Sequence, residues 1–207
     1  MTVTAIESVT RHKMRVSLDG EPAFVFTDRE IREWNLTEEM EFDRAEEEAL
    51  VQYVCREAAR TAMNLLVKRD YAQAELYRKL RERGYSEYFA RQGIAYVSSY
   101  HYLDDERYVT RYLSTYQGRK SRRQMQFELE RKGIPRELIR RGQEAMEDEE
   151  GCADETDMIR QLLEKRCRNP KEADEKEKRR HYGYLMRRGF TSSEIQSVFR
   201  EYFSREE

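Results

Sequence analysis

Apolar and polar positions change their period once along the chain. From Val3 to Phe26 they alternate: Met14, Val16 and Leu18 recur at every second residue, Asp19-Gly20 follows, and Phe24 and Phe26 resume the alternation. Asp-Gly between alternating runs predicts a tight hairpin, because both central residues of the favoured turn need positive φ. The run Val3 to Val9 supplies a third strand. Thr27-Asp28 reads as the cap of a short helix through Trp34, Thr37-Glu38-Glu39 starts another turn, and the chain looks helical from Phe42 onwards. A three-stranded sheet buries little alone, so it is expected to pack on the first long helix, with Trp34 and Phe42 between them.

Beyond about residue 44 the pattern is helical and it repeats. Leu80-Arg81-Glu82-Arg83-Gly84-Tyr85-Ser86, Leu129-Glu130-Arg131-Lys132-Gly133-Ile134-Pro135 and Leu185-Met186-Arg187-Arg188-Gly189-Phe190-Thr191 share one grammar. Leu ends an amphipathic helix, and a base in the last turn meets the negative end of the dipole. Gly takes the left-handed cap position, and the apolar residue after it closes the cap. Ser86 and Thr191 can cap the next helix, Pro135 suits its first turn, and Thr191 to Glu194 has capping-box spacing. Before each Gly lie Leu76 and Leu80, Met125 and Leu129, or His181 and Leu185. After it run Ala90, Ile94 and Val97; Ile139, Gly142 and Met146; and Ile195, Val198, Phe199 and Tyr202. A further helix precedes each pair, marked by Ala62, Leu65 and Leu66, by Tyr108, Val109, Tyr112 and Leu113, and by Met158, Ile159, Leu162 and Leu163. The expected fold is therefore mainly α: three tandem three-helix repeats in an elongated, curved array, preceded by the small strand-rich extension. The boundaries are 1–43 for the extension and 44–101, 102–151 and 152–207 for the repeats.

Composition sharpens this picture. Of 207 residues 39% are charged, and the apolar stretches are too short to cross a membrane. The first residues, Met1 to Arg11, lack a charged-then-apolar signal pattern, so a cytoplasmic protein is expected. Cys55, Cys152 and Cys167, like His12, His101 and His181, are too scattered for a disulfide framework or a metal motif. The net charge of −2 hides an asymmetry. Residues 1–60 hold 8 basic and 14 acidic side chains, residues 61–145 hold 18 and 11, and residues 146–207 hold 13 and 16. The acids of the last third crowd into Glu147 to Asp157; the bases of the middle run from Arg119 through Lys120, Arg122, Arg123, Arg131, Lys132 and Arg136 to Arg140 and Arg141. Charge segregated in this way suits a polyanion or an acidic protein face as partner, although a charge run can equally be a solvated helical face.

Tyr102-Leu103-Asp104-Asp105, the run Gly118 to Ile134 ending in Glu128-Leu129-Glu130-Arg131-Lys132-Gly133-Ile134, and Arg187-Arg188-Gly189-Phe190 resemble the RecX family over roughly residues 58–203. Two departures stand out. Where the family commonly has a Ser cap before the helix of Glu75-Leu76, this chain has Tyr71-Ala72, which leaves Asp70 to cap; and His101 stands where Gly is frequent. The resemblance implies a non-enzymatic negative modulator of the RecA recombinase. It implies binding to the RecA–DNA filament in its groove, lowering ATP hydrolysis, strand exchange and coprotease activity. The implied partners are the RecA filament and single- or double-stranded DNA. Neither membrane nor cofactor is implied, and the protein is expected to be a monomer. The alternative is a stand-alone DNA-binding regulator of helix-turn-helix type. Against it, no copy offers an obvious Asn, Gln or Arg set at the start of a recognition helix.

The contact candidates are Arg119, Lys120, Arg122, Arg123, Arg131 and Lys132, on a helix expected from Arg119 to Lys132 whose core face belongs to Met125 and Leu129. Tyr116, nearest these bases among six tyrosines between residues 96 and 116, is the candidate for stacking on a nucleobase. Leu103-Asp104-Asp105-Glu106 reads as a helix start with Asp104 as cap rather than a metal or catalytic set. His181, in a place that is Leu76 or Met125 in the other copies, reads as a partly buried histidine with a local partner. No triad, phosphate loop or clustered carboxylates suggest catalysis.

Overall fold

The computed structural model describes residues 1–147, 154–167 and 169–203. Val3–Thr10 (β1), Lys13–Leu18 (β2) and Glu21–Thr27 (β3) form an antiparallel meander in that order. Asp19 and Gly20 close the second hairpin with φ of 48° and 89°, as the Asp-Gly signal requires. Among the described residues no named strand follows Thr27. Asp28–Glu33 (α1) starts on a capping box in which Thr27 and Glu30 bond each other's backbone.

The remaining helices fall in threes. The first group is Arg44–Leu66 (α2), Gln73–Glu82 (α3) and Glu87–Ser99 (α4); the second is Asp105–Tyr116 (α5), Arg122–Lys132 (α6) and Arg136–Glu147 (α7). The third is Glu155–Arg166 (α8), Glu175–Arg187 (α9) and Ser192–Phe203 (α10), with a short 3₁₀ turn, Pro170–Glu172, between α8 and α9. The chain divides into two compact units, Met1–Asp104 and Asp105–Glu207. The sheet therefore shares one unit with the first helix group, and the second and third groups share the other.

In the first unit the inner sheet face, with Val3, Val16, Phe24 and Phe26, packs on Leu50 and Val54 of α2 and Phe89 of α4. Trp34 and Phe42 flank this core as expected. A second cluster joins Ala62, Leu65, Leu76, Leu80, Ala90, Ile94 and Val97. Gly84 (φ +95°) turns directly against β3: a Cβ there would stand 2.3 Å from Val25 Cγ2. The next amide but one, that of Ser86, donates to Ala23 O at 2.7 Å. The turn glycine of the first group is thus also one of the points where the sheet is attached.

Gly133 and Gly189 have φ of 91°, so all three repeat glycines occupy the left-handed region. His101 does as well, at 56°, a conformation that Gly takes more easily. Other expectations are corrected. The N-cap of α3 is Ala72, with no side-chain cap bond, so Asp70 does not hold that position. The backbone there is fixed instead by burial of Tyr71 and Ala72, by Arg69 over the Tyr71 ring at 3.9 Å, and by the Arg69–Glu75 pair at 2.8 Å. Helix α7 begins after Pro135, whose carbonyl accepts from Leu138 and Ile139. His181 is 5% exposed, and neither ring nitrogen has a hydrogen-bond partner among the described residues.

Candidate functional site

The basic block of the second group is shorter as a helix than the sequence suggests. Ser121 is the N-cap of α6, accepting from Gln124 N, so Arg119 and Lys120 lie in the turn before it. Ser breaks the helix there because its hydroxyl satisfies an amide that has no intrahelical partner. Ser121 is 1% exposed and its Oγ also donates to Arg188 O at 2.8 Å. Gly189 permits this approach, since a Cβ would stand 2.6 Å from the same oxygen. The start of α6 and the turn after α9 therefore hold one another.

A carboxyl pair lies beside this junction. Arg122 N donates to Glu155 Oε1 at 2.6 Å, and the Glu194 carboxylate closes a capping box on Thr191. Burial, and after it the Glu194 charge, push the Glu155 carboxyl up to about 7, while hydrogen bonds from Thr191 hold Glu194 below the usual range despite burial.

The basic candidates separate into two kinds. Lys120 is held internally: its ammonium lies 2.5 Å from Glu128 Oε2, 3.1 Å from the Tyr112 hydroxyl and 3.7 Å from the Tyr116 ring centre. The Tyr112 hydroxyl also donates to Glu128, and burial followed by this bond raises its pKa. Glu128 stays ionised through Lys120 and Tyr112, against the opposing effect of burial. Lys120 is thus a poor candidate for reaching a partner, and it covers one face of Tyr116, the ring expected to stack on a base. Arg122 and Lys132 are half-buried, and Lys132 lies 5.6 Å from the Tyr108 ring. Arg136, Arg140 and Arg141 pair with Glu130, with Glu137 and Glu144, and with Glu106.

Arg119, Arg123 and Arg131 are the exposed ones. The side chains of Arg119 and Arg123 make no ion pair among the described residues. Arg123, Phe127 and Arg131 follow at i, i+4, i+8 on the outer face of α6, opposite the buried Met125 and Leu129. Phe127 is 59% exposed, and the Arg131 guanidinium lies 5.9 Å from its ring centre. Sequence reasoning missed Phe127, although its four-residue spacing from both arginines was legible. Among the described residues the other exposed aromatics are on the first unit: Tyr88, and Tyr96, Tyr100 and Tyr102, the last three with ring centres 5.0 and 6.1 Å apart in succession. Asp104 stands immediately before α5, and Asp105 and Glu106 fill its first turn, where the dipole favours acids.

Comparison with known proteins places the chain in a family. Models of the second and third three-helix domains of RecX match residues 104–142 and 153–199. The regulatory protein RecX of Trichlorobacter lovleyi is 34% identical over 142 residues, spanning 67% of this chain and 90% of that protein. The chain belongs to the RecX family. Regulatory protein RecX of Vibrio campbellii is 33% identical over 65% of this chain and 84% of its own length. That of Caldanaerobacter subterraneus is 27% identical over 90% of this chain and 91% of its own length. A crystal structure of regulatory protein RecX matches with a TM-score of 0.62 at 20% identity, covering 95% of this chain and 98% of that one. RecX from Lactobacillus salivarius gives 0.61 at 17%, covering 73% and 97%. At these identities the two structures speak for the fold alone. No helix among the described residues is long and apolar enough to cross a membrane.

Proposed function

We propose that this RecX protein regulates the RecA recombinase by binding the RecA–DNA filament in its groove, as a negative modulator of ATP hydrolysis, strand exchange and coprotease activity. The observation that carries the contact surface is the outer face of α6. It presents Arg123, Phe127 and Arg131 together, with Arg119 beside its start, in the segment with the largest positive excess of the chain. Exposed guanidinium groups suit phosphate or carboxylate, and the aromatic ring between two of them adds an apolar contact. Inhibition follows from occupying the groove; no bond is made or broken.

The double reversal Arg119→Glu, Arg123→Glu tests this. It changes the local charge by four units and leaves the Lys120–Glu128–Tyr112 cluster intact. Exposed substitutions of this kind cost within about 0.5 kcal/mol each in stability. The variant should keep the parent's circular dichroism and melting curve but bind filaments with a flatter salt dependence, because fewer counterions are released. It should also need at least about tenfold more protein to suppress RecA ATP hydrolysis, which corresponds to roughly 0.7 kcal/mol for each of two lost contacts. Equal suppression by variant and parent at low and moderate salt would remove the basic face of α6 from the mechanism. Sequence-selective DNA binding without RecA would instead favour a stand-alone DNA reader.

A further inference from the structure

Three ligand-type side chains that the proposed regulation does not use meet in the core of the third helix group. Cys167, at the C-cap of α8, is 3% exposed, and His181, on α9, is 5% exposed. Glu177 lies one turn before His181 on the same helix. One ligand atom from each, the thiol sulfur, an imidazole nitrogen and a carboxylate oxygen, lie within 4.8 Å of one another. His181 Nε2 and Glu177 Oε1 are 3.7 Å apart, beyond hydrogen-bond reach. Both imidazole nitrogens are buried with no hydrogen-bond partner among the described residues, an arrangement that ordinarily destabilises a fold.

The repeat shows how unusual the arrangement is within this chain. On the core stripe, Ala72, Leu76 and Leu80 of the first copy and Ser121, Met125 and Leu129 of the second correspond to Glu177, His181 and Leu185 of the third. Helices α3 and α6 begin seven residues before their shared Leu, whereas α9 begins ten before it, capped by Asp174. Those added residues place Glu177 inside the helix, four before His181. Two positions that elsewhere cap or fill the core have become ligand types, and the end of α8 brings a buried thiol to them.

We propose that Cys167, Glu177 and His181 bind one zinc ion. Thiolate, imidazole and carboxylate are the donors zinc takes, whereas magnesium and calcium want oxygen throughout. Tetrahedral bonds of about 2.0–2.3 Å set ligand atoms roughly 3.3–3.8 Å apart, so each separation within the cluster shortens by no more than about 1.5 Å. The Glu177 side chain is 45% exposed, which leaves a path for the ion and room for a water as fourth ligand. Before binding, burial and the Glu177 carboxylate keep the Cys167 thiol protonated. On binding the thiol proton leaves to solvent, and thiolate and carboxylate together balance the two positive charges. The ion then ties the end of α8 to α9 across the connection that carries the 3₁₀ turn, and it favours the folded state because the unfolded chain has no preformed site. This site is independent of the proposed action on RecA.

The test uses the full chain stripped of metal, titrated with zinc against a chromophoric chelator and, separately, with cobalt(II). We expect one ion per chain, one proton released, a higher melting temperature with zinc, and a thiolate-to-cobalt charge-transfer band. Cys167→Ser should abolish the band. Cys167→Ser and His181→Gln should each weaken zinc binding by at least about 100-fold, the upper end of what losing an outer-shell partner costs. Glu177→Gln, at the solvent edge, keeps the fold and should also weaken binding; Cys55→Ser and Cys152→Ser should not. Absence of stoichiometric binding at micromolar zinc, or a charge-transfer band that survives Cys167→Ser, overturns the proposal. The band of the parent protein decides the matter even where a buried variant does not fold.

Discussion

Ser121→Ala removes two interactions with one oxygen. The first is the N-cap of α6, where Ser121 Oγ accepts from Gln124 N at 3.2 Å; a Ser-to-Ala cap change typically costs about 1 kcal/mol. The second is the bond to Arg188 O at 2.8 Å, between helix groups 67 residues apart in sequence; a bond of this kind contributes about 1 kcal/mol net. The sum is about 2 kcal/mol. For a unit of about 100 residues that lowers the melting temperature by roughly 8–16 °C. Ser86→Ala is the control. Ser86 caps α4 with a longer bond, 3.5 Å to Phe89 N, and among the described residues its side chain makes no hydrogen bond to another helix group. It should cost about 1 kcal/mol or less. Calorimetry of both variants, with amide exchange followed across α6 and the turn at Arg188-Gly189, measures the difference. Ser121→Ala should raise exchange on both sides of the junction, Ser86→Ala on neither. Equal destabilisation by the two would refute the claim that this hydroxyl couples the second and third groups.

Glu155 gives a pH dependence. Its folded pKa is raised, so its contribution to stability is complete below the unfolded value near 4.5 and is lost as pH rises through about 7. After discounting for the part of the pair open to solvent, about 1–2 kcal/mol should disappear between pH 5 and pH 8, and Glu155→Gln should flatten that slope in urea titrations; an unchanged slope would show that Glu155 titrates normally. Gly84→Ala meets both a left-handed φ and Val25 Cγ2 at 2.3 Å, so it should cost about 3 kcal/mol. Adding Val25→Ala should recover part of that loss in chemical denaturation, and failure to recover any would leave the backbone conformation as the whole cause.

Local grammar in the sequence was sufficient for the elements. Asp19-Gly20 had to be a turn, Thr27 and Thr191 had to be caps, and each Leu-x-x-base-Gly run had to end a helix, because these residues act on their own backbone. His101 was the informative exception: it takes the left-handed conformation that Gly would take more easily, and its identity alone did not announce it. Ala72 shows the limit from the other side, since α3 starts without a cap because tertiary burial of Tyr71 and Ala72 fixes the entry.

The surface was less legible, because charge in a sequence has no direction. Arg119, Lys120, Arg122 and Arg123 form one basic block on paper, yet Lys120 turns inward to Glu128 and two tyrosines while Arg123 turns out beside Phe127. Which of them faces solvent depends on where α6 starts, and Ser121 sets that start. Residues distant in sequence escaped for the same reason. Cys167 and His181 are 14 positions apart with no metal spacing between them, and only the packing of α9 against the end of α8 brings their ligand atoms together. The sequence by itself thus determined the sheet, the helices, the threefold grammar and the family, all of which follow from interactions within a few residues of the backbone. Tertiary structure alone decided which charges face solvent, which turn glycine meets the sheet and which three ligand-type side chains come together, since those depend on the distance between helices that the chain's own order does not encode.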